Sequence, residues 1–265
     1  MKQMNVVELF VAAGLVVGIA ACGSPSTLEA ETTEAPEAAT ELAEGGEGGE
    51  GGEGGEGGEG GEGGEGGEGG EGYSAGEQAN ADFQDKLSGA ALLSALQEGG
   101  HVIYFRHAQT ERDYADQADP NMSLDDCETQ RKLNDVGIKQ AETIGDAFAE
   151  KAIPVGAVIA SDYCRAWQTA DLAFGTHEKN SQLNFLPFED YTDAQVEEMK
   201  ANVTPLLTQA PEAGTNTVIV GHDDIFESAT GIYPDPQGIA YVLTPDGSGG
   251  FTLQANMLPE EWAAL

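Results

Sequence analysis

"VIYFRHAQT", residues 102–110, is the stretch from which the chain is best read. Val102, Ile103, Tyr104 and Phe105 form a run of β-branched and aromatic residues, the composition of a strand packed on both faces. The run ends in Arg106 and His107, a guanidinium and an imidazole delivered side by side. Two later apolar runs end in a similar way. Residues 155–160 lead into "SDYCRAWQTA" (161–170), and residues 217–220 lead into "GHDD" (221–224).

Between these strands lie helical patterns. "LSGAALLSALQ" (87–97) predicts an amphipathic helix within 82–98, ended by Gly99 and Gly100. Ile138, Ala141, Ile144 and Phe148 recur at helical spacing within 135–151. Residues 163–174 and 192–209 read as two more helices, the second capped by Thr192. Residues 239–243 and 251–255 flank the turn "TPDGSGG" and predict a hairpin. Strands alternating with helices predict an α/β fold, a three-layer sandwich with a mostly parallel sheet covered by helices on both faces. In such sheets ligands sit beyond the carboxyl ends of the strands, where Arg106, His107, Arg165 and His222 all fall.

The rest of the chain sets the context. Residues 44–72 repeat Glu-Gly-Gly without interruption. Such a segment has nothing apolar to bury and carries a like charge at every third residue, so it predicts a disordered, extended tether. Residues 22–72 hold fifteen glutamates and no lysine or arginine, and Lys2 cancels Glu8. Of the formal charge of −36, the part from Tyr73 onward therefore still carries −21. An acidic domain of this kind excludes nucleic acid and anionic membrane surfaces as electrostatic partners.

The N-terminus reads as a secretory signal. Lys2 precedes an apolar run over residues 9–21, too short to span a bilayer as a helix but suited to a signal-peptide core. "GIAAC" (18–22) resembles a bacterial lipobox, which implies cleavage before Cys22 and lipidation of that cysteine. The expected organisation is a lipoprotein-type signal peptide over 1–21, a disordered acidic Gly/Glu-rich tether over 22–81 and a folded domain over 82–265. That places the domain in a bacterial cell envelope, lipid-anchored and facing outside the cytoplasm. Removing Cys22 leaves Cys127 and Cys164, an even pair that an oxidising compartment allows to bond.

Two arginines and two histidines at one sheet edge have a chemical meaning. A neutral imidazole is a nucleophile. Guanidinium forks match phosphoryl oxygens, and nearby cations keep a histidine neutral. Arg106 and Arg165 can hold a phosphoryl group while His107 attacks it, with His222 donating to an equatorial oxygen. A carboxylic acid must then protonate the leaving oxygen.

In "FRHAQT", "SDYCRAWQTA" and "VIVGHDD" the chain resembles the histidine phosphatase superfamily, which includes the phosphoglycerate mutases. The likeness runs from about His101 to the C-terminus. It implies that His107 is the phosphorylated nucleophile and that Arg106, Arg165 and His222 complete the phosphate pocket. For the acid it leaves two candidates: Glu189 in "LPFEDY", which is favoured, and Asp223, directly after His222. The favoured reading is a membrane-tethered phosphomonoesterase acting on a small phosphorylated substrate, with no metal or other cofactor. The alternatives are a mutase-type phosphotransferase and a non-catalytic phospho-ligand-binding or surface module. His101 and His177 read as surface residues. Asp125, Asp126 and Glu128 read as a solvated loop rather than a metal site, and Trp167 and Trp262 as packing.

If the lipobox reading holds, mass spectrometry of the mature protein finds a lipid-modified Cys22 at its N-terminus. An unmodified N-terminus downstream of Cys22 overturns it.

Overall fold

The fold comes from a computed structural model, which describes residues 73–265 apart from 112–115, 117–118, 120 and 187–190. The expected signal peptide (1–21), Cys22, the Glu-Gly-Gly tract and Glu189 lie outside the described residues.

A six-stranded mixed sheet runs in the order β3-β2-β4-β1-β5-β6. The strands are β1 (Val102–Arg106), β2 (Val155–Ala160), β3 (Glu178–Lys179), β4 (Asn216–Gly221), β5 (Ala240–Pro245) and β6 (Phe251–Met257). β1 to β4 run parallel, while β5 pairs antiparallel with both β1 and β6. The helices are α1 (Ala75–Ala81), α2 (Gly89–Glu98), α3 (Asp135–Glu150), α4 (Cys164–Phe174), α5 (Asp193–Thr208) and α6 (Asp223–Thr230).

The period of two along β1 divides the core. Ile103 and Phe105 point to one face, where they meet Leu92 and Leu96 of α2, Ile144 and Phe148 of α3, and the buried Trp262. Val102 and Tyr104 point to the other, against Met199 and Val203 of α5 and Ile225 and Phe226 of α6. Both faces of β1 are buried, as a central parallel strand requires. The expected three layers are therefore present, and the hairpin of β5 and β6 closes one edge.

Two expectations need correction. The tether cannot extend to residue 81, because α1 is folded onto the domain. Ser74 and Glu77 form a capping box at its start, and Gly76 is buried. The Gly- and Glu-rich composition upstream hid this capping signal. The helix expected within 82–98 is present as α2, from Gly89 to Glu98, with Ser88 at its N-cap and Gly99 at its C-cap. His101 is buried, with its ring beside Thr244 Oγ1 at 3.0 Å. The helix α6, which begins directly after His222, was not expected.

Two glycines matter at opposite ends of the parallel strands. Gly99 (φ 81°) reverses the chain between α2 and β1, and a Cβ there would lie 2.6 Å from the Thr215 backbone. Gly221, at the end of β4, leaves space for the Tyr104 hydroxyl, which a Cβ would approach to 2.2 Å. That hydroxyl donates to His222 O (2.7 Å) and accepts from His222 N–H (2.9 Å). A side chain of β1 thus fixes the backbone of the histidine that β4 delivers.

Candidate active site

The parallel strands β1, β2 and β4 end together. β1 delivers Arg106 and His107, β2 leads through Ser161 to Arg165 at the start of α4, and β4 delivers His222. The rings of His107 and His222 lie 5.4 Å apart at 66°. His107 Nδ1 sits 2.9 Å from Ala108 O, which can only accept, so Nδ1 carries the proton and Nε2 keeps its lone pair. Burial pushes the His107 pKa well below the ordinary histidine value, and the charges of Arg165, Arg106 and Arg131 push it further. The imidazole is therefore neutral and nucleophilic.

His222 is set by a chain of hydrogen bonds. Asn184 Oδ1 accepts from Ser161 Oγ (2.7 Å) and from Asp162 N–H (3.0 Å), while Asn184 Nδ2 donates to Asp162 Oδ2. Ser161 has then given its only proton away. It must accept at its 2.9 Å contact with His222 Nε2, which assigns the His222 proton to Nε2. Burial, then Arg165 and His107, hold His222 neutral as well.

Each arginine is anchored in its own way. Arg165 is almost wholly buried. Its Nη1 donates to Asp116 Oδ2 at 2.7 Å, and its plane lies near the rings of Tyr163 (4.8 Å) and Phe185 (5.4 Å). Arg106 donates through Nη1 to Asp235 Oδ1 (2.9 Å) and Pro234 O (3.1 Å), and its Nη2 meets Asp223 Oδ2 at 2.5 Å. Its terminal nitrogens are thus taken up within the protein, so the open bidentate fork expected of Arg106 is absent. Arg131 is a third cation acting on both histidines, and its backbone N–H donates to Asp116 Oδ2 at 2.8 Å. The Nε atoms of Arg106, Arg131 and Arg165 are all buried without a hydrogen-bond partner among the described residues. Buried N–H donors of this kind are rare unless they wait for an acceptor.

Sequence reasoning missed Arg131 and Asp116. Both lie in the polar stretch 110–134, where one charge among many carries no mark of burial. The loop is nevertheless pinned. Cys127 and Cys164 are disulfide-bonded, and Gln130 Oε1 accepts from Cys164 N–H at 2.8 Å. These ties hold the residue before Arg131 against the residue before Arg165. On α4, Thr169 Oγ1 accepts from Ala108 N–H (3.1 Å), fixing the backbone just after His107. A separate cavity of about 410 Å³, lined by Leu133, Trp167 and Leu172, meets this site only at the disulfide and contains neither histidine of the pair.

The carboxyl groups divide against expectation. Burial alone would raise the Asp223 pKa, but Arg106 and the Tyr233 hydroxyl (2.8 Å) outweigh it and bring it down to about 2. Asp223 is therefore ionised and serves to hold Arg106, which argues against it as the proton donor. Burial, and then the charge of Asp223, push Asp224 up to about 7. The hydrogen bonding agrees. The Tyr191 hydroxyl has one proton and faces both Leu186 O (2.8 Å) and Asp224 Oδ2 (3.1 Å), so a protonated Asp224 completes the set. Asp125, Asp126 and Glu128 lie exposed on the loop. Among the described residues no group of three His, Cys, Asp or Glu could hold a metal ion.

The family model for the histidine phosphatase superfamily (branch 1) matches residues 102–210. The span covers β1 to α5 and shows that this part of the chain is similar to that superfamily. The match stops short of His222, which the fold brings to the site. No curated protein matches the chain significantly. Among solved structures, the chain is similar to the protein histidine phosphatase SixA complexed with tungstate (16% identity, TM-score 0.45, 61% of this chain and 98% of that one). It is also similar to a phosphoserine phosphatase from Entamoeba histolytica in complex with 3-phosphoglyceric acid (14%, 0.44, 59% and 95%). A third is a mycobacterial glucosyl-3-phosphoglycerate phosphatase complexed with VO3 (16%, 0.41, 58% and 97%).

The raised pKa of Asp224 has a definite sign for stability. The folded state keeps a proton that the unfolded state releases above the ordinary carboxylate pKa. The stability this provides is present at low pH and lost as pH rises through about 7. Asp224→Asn stays neutral throughout, so its Tm relative to the parent protein is expected to rise between pH 5 and pH 8, by roughly 5 °C. A difference that does not change with pH refutes the protonated Asp224.

Proposed function

We propose that the domain is a phosphomonoesterase that works through a phosphohistidine on His107. The observation that carries this reading is the set of three buried, unpartnered arginine Nε–H donors around a neutral, buried imidazole. Such donors suit a tetrahedral dianion, and the imidazole supplies a lone pair where its phosphorus would sit. On this reading His107 Nε2 attacks the phosphorus, the bond to the ester oxygen breaks, and the departing oxygen takes a proton from a carboxyl group. Water then attacks the phosphohistidine, gives a proton back to that carboxylate and releases inorganic phosphate.

His222 needs one further step in this scheme. Its Nε2–H is committed to Ser161, so it can donate to a phosphoryl oxygen only through Nδ1, as an imidazolium. A dianion placed among the arginines reverses the field that keeps His222 neutral and favours that protonation. The general acid we assign to Glu189, because Asp223 is already committed to Arg106. We further propose that the enzyme is lipid-anchored through Cys22 and works outside the cytoplasm. A phosphorylated sugar-acid pool for a mutase is not expected there, which favours water as the acceptor.

Two experiments test the mechanism. His107→Ala is expected to abolish aryl phosphate hydrolysis and acid-labile labelling of the protein by radioactive substrate. Turnover close to that of the parent protein refutes the covalent intermediate. Glu189→Gln is expected to slow alkyl phosphates about 10²–10⁴-fold while sparing nitrophenyl phosphate, whose leaving group departs without a proton. If Asp223→Asn shows that selectivity and Glu189→Gln does not, the assignment of the acid is wrong.

A further inference from the structure

The helix that brings the chain into the domain grips the segment that holds Arg106. Gly76 O of α1 accepts from Tyr233 N–H at 3.1 Å, and Asn80 Nδ2 donates to Asp235 O at 2.8 Å. Asn80 Oδ1 also accepts from the Tyr241 hydroxyl of β5. The contact is close. A Cβ on Gly76 would lie 1.9 Å from Glu227 Oε1 and 3.1 Å from Tyr233 Cβ. Phe83, just past the helix, packs edge-on against Tyr241 with centroids 5.2 Å apart. Seven residues do not make a stable helix alone. The capping box and this docking are what hold α1 in place.

On its other side the same short segment surrounds Arg106. The guanidinium lies over the Tyr233 ring at 5.2 Å, and its Nη1 donates to Pro234 O and to Asp235 Oδ1. The Tyr233 hydroxyl donates to Asp223 Oδ2, the other anion on Arg106. Residues 233–235 are thus clamped between α1 and the arginine. A guanidinium is planar and rigid, so its Nε–H can move only with the groups that hold the terminal nitrogens.

We propose that α1 is a positioning element of the phosphate pocket, with Gly76 and Asn80 fixing residues 233–235 and these in turn aiming the free Nε–H of Arg106. The proposal depends on the phosphatase reading only for the ligand class, a phosphate-type anion. It gives the last turn of chain before the domain a role in affinity that a plain spacer would lack.

The test measures inorganic phosphate binding by calorimetry, together with kcat, KM and Tm, on the full-length chain. Asn80→Ala is expected to weaken phosphate binding about five- to tenfold, as loss of a positioning hydrogen bond would. KM for an aryl phosphate rises in parallel and kcat changes less than about twofold. Asn80→Asp keeps the acceptor for Tyr241 but loses the donor to Asp235 O, and is expected to match Asn80→Ala. Ile153→Ala, in the core far from α1, serves as a stability-matched control and should lower Tm without shifting either constant. The proposal is overturned if both Asn80 variants leave phosphate affinity unchanged, or if the control shifts it equally. A parent protein that binds phosphate without turning over esters sinks the phosphatase reading alone, and the affinities still decide the role of α1. A parent protein that binds no phosphate sinks both.

Discussion

The site rests on a problem of charge. Three guanidiniums act on two buried imidazoles in a region with little water to screen them, and both histidines respond by staying neutral. Buried cations must be paired. The protein pairs Arg106 and Arg165 from behind. Asp116 holds Arg165 and the Arg131 backbone, while Asp223 and Asp235 hold Arg106. Each arginine nevertheless keeps one buried N–H without a partner. The counter-ions keep Arg106 and Arg165 in place and leave unmet the hydrogen bonds that a phosphoryl group would satisfy.

This arrangement explains features that look unrelated in the sequence. The parallel order of β2, β4 and β1 puts three strand ends side by side, so residues far apart in the chain meet without long connections. Thr169, Gln130 and the disulfide then lock α4 and the polar loop to one another and to the backbone after His107. Tyr104 does the same for His222. Removing one partner of a buried pair such as Arg165 and Asp116 leaves an uncompensated charge, at a cost of about 3–5 kcal/mol. Strength of this kind goes into placing charges, more than into overall stability.

What the sequence revealed, and what it hid, follows from the same physics. Strands buried on both faces write themselves as unbroken apolar runs, so β1, β2 and β4 could be read, and with them the residues at their ends. The helix α3 showed its periodicity, and α5 its cap at Thr192. Arg131 and Asp116 could not be found, because their burial comes from tertiary contacts made by a loop whose composition is that of a solvated surface. The capping box at Ser74 and Glu77 was present in the sequence but masked by the repeat before it. The roles of Asp223 and Asp224 could not be read from adjacency. What separates them is which one faces Arg106, and that is set by how the first turn of α6 is oriented.

The division of labour among the carboxyl groups also bears on catalysis. An acid catalyst must hold a proton near working pH, whereas a counter-ion to a buried arginine must not. One carboxyl cannot serve both needs in the same state. Asp116, Asp223 and Asp235 each face a guanidinium, and for Asp223 the outcome is a pKa near the bottom of the carboxylate range. Asp224 has its pKa raised to about 7, but its carboxyl is engaged with Tyr191. On the proposed mechanism, a proton for the leaving group comes from a carboxyl with no arginine partner that can reach the ester oxygen. Arg106, which helps to keep His107 neutral, also holds Asp223 ionised, which argues against the carboxyl nearest to His222 in the chain as that donor.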